Sequence, residues 1–426
     1  MNGVRTLTSA LVDSGTMITR GVLQDLRRAK VRHIGPSVAR TGFDPTEPDA
    51  IANPFPELAR LREHRVVVNE RLNVWMLAGY TDVMAATRAH HTLSSASGIL
   101  LRSMPLPGVV STDEPDHTRL RRITAPSFTP AAVRQLENSL NALVAPGIAA
   151  LTTGTVVDAV PALTVPLPVA AIGLILGVAP DRRDEFQRYS EDFRSMFAVS
   201  SLTEVARSTG RALPGMLAMR GLIMDELDRR SRERIDDVFG RAREALDGGD
   251  MSVLEALTAA LILLVAGSET TTNLLGILLV QLARDPDLYD RLREDRDLIP
   301  AATDEALRWG SPVQWVARTA LAPYPVGDVT IPARSRVVLF YAGANRDPSQ
   351  FERPDDFDID RGAGGHVTFG HGAHFCMGAH LARLEVRLAL NQLFDAAERI
   401  ELAGPVTWTT TPSLSGPTSV PIRVVR

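Results

Sequence analysis

The sequence predicts a mainly helical protein with a minor, mostly antiparallel sheet part, an α+β fold built as a single large domain. Three observations carry this. From Thr81 to about Leu298 apolar residues recur at helical spacing, punctuated by Pro115, Pro126, Pro180 and Gly248-Gly249. Strand-like runs are short and fall mainly in Val66–Leu77, Val329–Phe340 and the last residues. No linker-like stretch splits the 426 residues.

The elements follow in order. Met1 to Gly35 mixes Arg20, Arg27, Arg28 and Lys30 with apolar residues and lacks the basic, apolar, small-residue order of a signal peptide. It reads as an exposed extension with one amphipathic helix, so residues 1–45 are assigned to an extension and 46–426 to the domain. Val66-Val67-Val68 and Val74-Trp75-Met76-Leu77 flank the polar stretch Asn69 to Asn73, a hairpin pattern. Leu261 to Leu279 is apolar on nearly all sides, as a helix through the middle of a domain must be. Strands return at Val329-Thr330-Ile331 and Val337-Val338-Leu339-Phe340. Arg346 to Gly365 is Pro/Asp-rich and aperiodic, and a helical pattern runs from Gly378 to Leu393.

Composition narrows the class. A formal net charge of -4 gives no reason to expect nucleic acid, and 45% hydrophobic with 23% charged residues is ordinary for a globular protein. One cysteine argues against a disulfide-built secreted fold. The longest apolar candidate, Ala256 to Gly267, is too short to cross a bilayer. A cytoplasmic location without membrane insertion is therefore expected.

The single cysteine, Cys376, sits in Phe369-Gly370-His371-Gly372-Ala373-His374-Phe375-Cys376-Met377-Gly378, just before a helix. A sulfur at a helix N-terminus is favoured as thiolate by backbone N–H groups and the helix dipole. His371, His374 and His380 lie near it, so a Cys/His zinc site is one alternative. An inert buried thiol is another. Against zinc, no second Cys/His cluster completes a site, and Gly370, Gly372 and Gly378 suggest backbone passing close to something flat.

With Ala379-His380-Leu381-Ala382-Arg383-Leu384-Glu385 following, the loop resembles the haem-binding loop of the cytochrome P-450 family, closest to its soluble bacterial members. The resemblance extends over roughly residues 50–426. It implies the fold of that family, a buried haem b, and Cys376 as axial thiolate to the iron, a ligand that favours O–O cleavage. By the same resemblance Phe369 packs near the haem and sulfur, and Gly378 lets the helix approach the ring.

Ala266-Gly267-Ser268-Glu269-Thr270-Thr271 interrupts the apolar helix. Thr270 lies four residues after Ala266, so its hydroxyl can engage that carbonyl, open the helical ladder and make a polar notch. The segment is similar to the family's acid–alcohol pair, which implies Thr270 as the hydroxyl beside dioxygen and Glu269 as a proton relay. Haem propionates need cations or donors. The family pattern places His117 and Arg121, spaced by four on one helical face, Arg318, and His374 there. Glu305 and Arg308, at i and i+3, resemble the family's structural Glu-x-x-Arg, with Arg361 as third member. Asn345-Arg346-Asp347-Pro348 fits the pattern as structure.

The implied activity is insertion of one oxygen atom from dioxygen into a small hydrophobic organic substrate, by hydroxylation, epoxidation or O-dealkylation, in natural-product or xenobiotic metabolism. A ferredoxin-type partner with a reductase would supply electrons, with Arg119, Arg122 and Arg387 as a docking patch. Resemblance places the substrate against the Ser94–Val110 loop, the Phe186–Phe197 region, Ala266, Val313, Trp315, Val316 and Leu414. A haem-binding sensor or carrier without turnover is the alternative; Glu269–Thr270 counts against it.

Overall fold

The computed structural model describes residues 19–31, 38–194, 202–362 and 364–425, with backbone only for 191–194, 202–213 and 216. The expected extension is therefore described only in part, since 1–18 and 32–37 lie outside these residues. Residues 19–26 are helical.

Helices dominate, as the periodicity predicts. The longest apolar one is Val253–Arg284, capped by Ser252 and Glu255 in a reciprocal box. It runs unbroken through Ala266–Thr271, where the sequence suggested an interruption. By length and composition it alone among the described helices could cross a membrane, contrary to the sequence expectation that no segment is long enough. It instead threads the main core, where Leu274, Leu275, Ile277, Leu278 and Leu279 are buried with residues of Pro166–Leu176 and Ile299–Gly310. Gly267 serves that packing: an added Cβ would collide with the Ile172 side chain. Pro146 and Pro214 sit inside helices Glu137–Leu151 and Leu202–Arg230, a tolerance that local propensity does not predict.

The predicted hairpin forms, pairing Val67–Asn69 with Val74–Leu77 in antiparallel register, Val68 opposite Trp75. It belongs to a six-stranded sheet in the order Ala39–Arg40, Val67–Asn69, Val74–Leu77, Arg336–Phe340, Trp315–Ala320, Leu93–Ser94. Two of its pairings are parallel, Ala39–Arg40 on Val67–Asn69 and Val74–Leu77 on Arg336–Phe340. The irregular stretch before the cysteine loop holds only a turn of 3₁₀ helix, Ile359–Arg361, and the cysteine helix spans Ala379–Ala396.

That stretch is fixed from below. Arg308 grips Glu305 with two bonds of 2.7 Å, Nη2 to Oε1 and Nε to Oε2. Its remaining N–H groups reach the carbonyls of Asn345, Pro354 and Asp356 at 2.9, 2.7 and 2.9 Å. Arg361 touches Glu305 only loosely, with Nε 3.5 Å away and no hydrogen bond on that nitrogen, while its Nη atoms donate to the carbonyls of Glu352, Arg353 and Asp356. Asn345 is buried and ties Ser311, Thr368 and the Val367 N–H together.

Candidate active site

The cysteine loop is a tight backbone turn. Gly370 and Gly372 have φ of +65° and +70°, which side chains rarely adopt, and the Cys376 N–H donates to the Phe369 carbonyl at 2.8 Å. Only one of the three glycines faces open space. A Cβ on Gly370 would touch the Tyr341 hydroxyl and one on Gly372 the Thr87 carbonyl, whereas one on Gly378 meets no atom within 4 Å. Space beside the backbone is left at Gly378, whereas Gly370 and Gly372 serve the turn.

Cys376 is a free, half-buried thiol. Backbone N–H groups of Gly378 and Ala379 point at its sulfur, and Arg121 and Arg383 add positive charge, but burial outweighs them and pushes the thiol up. The helix-end N–H groups act in the expected direction, towards the thiolate, with burial opposing them. Phe369 is held beside it by Arg383, whose guanidinium lies 4.7 Å from the ring centroid and bonds Asp304 at 2.9 Å. Neither Arg383 nor Asp304 was singled out in the sequence.

The four predicted edge groups converge although they come from three separate segments. On helix Asp116–Thr124, His117 stacks on His374 with ring centroids 4.4 Å apart, and Arg121 bonds the Phe375 carbonyl at 2.9 Å. His374 Nε2 lies 3.2 Å from the Ser95 hydroxyl, which brings in the start of the Ser94–Val110 loop. Burial first, then the charge of Arg318, pushes the His374 imidazole down to about 3. Arg318 is buried, its one hydrogen bond goes to the Ala317 carbonyl at 3.0 Å, and no carboxylate pairs with it among the described residues. Burial pushes its guanidinium down. His117 Nε2 is likewise buried with no partner. A cavity of about 110 Å³ borders the cluster, lined by His90, His91, Asp113, Glu114, His117 and His374.

The acid–alcohol segment sits on helix Val253–Arg284. Thr270 Oγ1 donates to the Ala266 carbonyl at 2.6 Å, the predicted contact. The helix stays continuous, so the notch is made by side chains rather than by a broken ladder. Ala266 is exposed and Glu269 and Thr270 half-exposed, on a helix whose next two turns are buried. Gly108 packs on Ile262, one turn before Ala266, so the Ser94–Val110 loop reaches this face.

The substrate-wall candidates divide. Val313 and Leu414 are joined by an isolated β-bridge, and Val316 packs in one cluster with Val313 and Ile99. Trp315 points to the other sheet face, 4% exposed among Phe43, Leu58 and Phe340, with Nε1 donating to the Pro412 carbonyl at 2.8 Å. It is core packing, because adjacent strand residues face opposite ways. Phe186 is buried against Gly173, and 195–197 of the Phe186–Phe197 region lie outside the described residues. A cleft of about 770 Å³ lined by Trp309, Asp355, Asp356 and Asp358 lies on the Pro/Asp-rich stretch, with none of the cysteine-loop or Ala266–Thr270 residues in its wall.

The residues suit a haem. A buried guanidinium with no carboxylate partner and an unpartnered buried imidazole nitrogen, His117 Nε2, would meet propionates, N–H groups converge on a sulfur, and Gly378 leaves room for a ring. Among the described residues no group of three or more His, Cys, Asp or Glu side chains could hold a metal ion.

Comparison with known proteins agrees. The cytochrome P450 family model matches residues 222–396. The chain is 36% identical over 394 residues to a beta-dihydromenaquinone-9 omega-hydroxylase of Mycobacterium tuberculosis, covering 92% of this chain and 80% of that one. The chain belongs to the cytochrome P450 family. Another cytochrome P450 relative, the vitamin D(3) 25-hydroxylase of Pseudonocardia autotrophica, is 36% identical over 82% of this chain and 87% of its own. The solved cytochrome P450 CYP109Q5 from Chondromyces apiculatus superposes with a TM-score of 0.79 at 31% identity, covering 91% and 98%. The protein is accordingly a cytochrome P450 monooxygenase, an oxidoreductase with a haem-thiolate cofactor that uses dioxygen, a hydrophobic substrate and redox partners.

Proposed function

We propose that residues 46–426 form the monooxygenase domain, with haem b ligated by Cys376, and that the enzyme hydroxylates a small hydrophobic organic substrate at the larger end of that class. The observation that carries the haem site is the meeting of two guanidinium groups, Arg318 and Arg121, with two uncharged imidazole hydrogen-bonding groups, His374 and His117, beside the cysteine loop, with no carboxylate paired to Arg318 among the described residues. When bound, the haem iron supplies dioxygen activation, with a thiolate ligand favouring O–O cleavage.

The chain's own groups divide the remaining work. Gly378 and Ala379 N–H groups stabilise charge on the Cys376 sulfur. Arg383 fixes the Phe369 ring over the loop. Arg318, Arg121, His117 and His374 would hold the haem propionates. Thr270, oriented by the Ala266 carbonyl, presents its hydroxyl at the open helix face, and Glu269 delivers protons to it. Ala266, Val313, Val316 and Leu414 form the apolar wall. Glu305, Arg308 and, more loosely, Arg361 keep the loop in place.

Electrons come from a ferredoxin and its reductase, in the cytoplasm. Of the proposed docking cations, Arg119 is committed to Asp116 and Glu255 and Arg387 to Glu137, so exposed Arg122 carries the contact. Hydroxylation of a larger substrate is favoured because the relatives act, by their names, on a menaquinone and on vitamin D(3).

The reduced, carbon monoxide-bound spectrum tests the centre. Wild type should show the strongly red-shifted Soret band of a thiolate-ligated haem, and Cys376→His should lose it while retaining haem. A wild-type protein loaded with haem but lacking the band would overturn the assignment of Cys376. Low-to-high-spin shifts across menaquinones, secosteroids and small aromatic ethers then read the substrate class; response to the last alone would overturn the larger-substrate reading.

A further inference from the structure

The helix at residues 19–26 is docked with its apolar side outward. It meets the protein through Gly21, where a Cβ would collide with the Ser103 carbonyl, and through Asp25, whose carboxylate accepts from the Ser103 N–H at 3.0 Å. Asp25 also pairs with Arg28, which donates to the Leu101 carbonyl at 2.7 Å. Leu26, Val22 and Leu23, on one face at i and i+4 with an adjacent position, are 75%, 53% and 46% exposed, and Met104, next in sequence to the Ser103 that the helix docks on, is 38% exposed. A helix settling on its own protein for hydrophobic reasons would bury that face. Here it buries a glycine and an ion pair.

Charge says what the face fits. Arg20, Arg27, Lys30 and Arg102 are all exposed around it. Asp25 is the only acid in residues 19–31, and it is already paired; residues 98–110 contain none. Apolar side chains rimmed by uncompensated cations match an anionic lipid surface, where each basic group near the membrane adds attraction.

Position supplies the use. The clasped segment Gly98–Ser103 is fixed on its inner side by Arg336, donating to Gly98 and Leu100 at 2.7 and 3.1 Å, and by the Ala317 N–H on the Ile99 carbonyl at 2.7 Å. The same loop then reaches helix Val253–Arg284 at Gly108. We propose that Val22, Leu23, Leu26 and Met104 with Arg20, Arg27, Lys30 and Arg102 form a docking face for an anionic bilayer surface, contacting it without spanning it. Docking sets the substrate loop against the membrane, so a lipid-dissolved substrate enters without crossing water. The entry route rests on the pocket reading above; the docking does not.

Vesicle sedimentation of the haem-loaded full chain tests this. Wild type should pellet with phosphatidylcholine vesicles containing phosphatidylglycerol, less with phosphatidylcholine alone, and less at high salt. Leu23→Glu/Leu26→Glu should abolish pelleting, and Arg20→Ala/Arg27→Ala should weaken it roughly tenfold or more on the anionic vesicles. Hydrogen exchange at 19–31 and 98–106 should slow on vesicle addition. Equal pelleting of wild type and the leucine variant would overturn the proposal. So would a dimer in sedimentation velocity that Leu23→Glu/Leu26→Glu dissociates without any vesicle binding, which assigns the face to a second copy. Slow exchange at 19–31 that vesicles leave unchanged, with no pelleting, would assign it to residues 1–18 and also overturn it. The carbon monoxide spectrum of each sample separates this outcome from failure of the haem assignment.

Discussion

Thr270 Oγ1 lies 2.6 Å from the carbonyl oxygen of Ala266, and both residues sit on the open face of a helix that is otherwise packed into the core. The hydroxyl is oriented by its own helix, so it needs no other element to place it. Thr270→Ala should leave haem and substrate binding intact yet raise peroxide release and lower product per electron pair, by an order of magnitude or about 100-fold in coupled rate. Thr270→Ser should retain much of the coupling. Oxygen uptake, peroxide and product measured together check this; coupling equal to wild type in the alanine variant would remove the proton-delivery role.

Arg318 is expected to act with opposite signs on the haem-free and haem-bound protein. Its guanidinium is buried without a carboxylate partner, an unfavourable arrangement until an anion arrives. Arg318→Met should therefore raise the melting temperature of the apoprotein while speeding haem loss from the holoprotein, read by transfer to an apo-globin acceptor. Lower stability in both forms would mean that Arg318 is structural.

Glu385 gives a pH-dependent expectation. Both its carboxyl oxygens are buried without hydrogen-bond partners, and burial raises its pKa well above the usual 4.5. Above that ordinary value the unfolded chain ionises while the folded one stays protonated, so stability falls as pH rises, by up to ~1.4 kcal/mol per pH unit, until the folded group ionises. Below it the term is fully favourable. Glu385→Gln should flatten that slope and stabilise the protein more at pH 8 than at pH 4, as thermal or denaturant unfolding across pH will show.

Breaking the Glu305–Arg308 pair should be severe. Both side chains are buried, and Arg308 also holds the carbonyl of Asn345 and those of Pro354 and Asp356 in the irregular stretch. Arg308→Ala should cost about 3–5 kcal/mol and lower haem content. Arg361→Ala should cost less, since its Nε makes no hydrogen bond to Glu305. Equal losses would show that the looser contact matters as much as the bidentate one.

Local chemistry made much of this legible. The hairpin at Val67–Leu77, the cysteine helix and the Thr270–Ala266 contact follow from spacing within one segment. Trp315 was misassigned because its neighbours Val313 and Val316 do face the other way, and which strand face meets which core depends on partners far along the chain. Gly267, which breaks the apolar pattern in sequence, is a packing glycine set by Ile172 on another helix. Arg383 and Asp304 were overlooked because each is an ordinary surface residue in sequence.

The sequence by itself determined the family loop around Cys376, the acid–alcohol pair and the mainly helical class, because each is written in residues close along the chain. Only the tertiary structure decided that His117, Arg121, Arg318 and His374 share one edge, that burial holds the Cys376 thiol up, and that Val22, Leu23 and Leu26 face outward. Burial, and the pairing or isolation of a charge, are properties of what surrounds a group, and those surroundings come from distant segments.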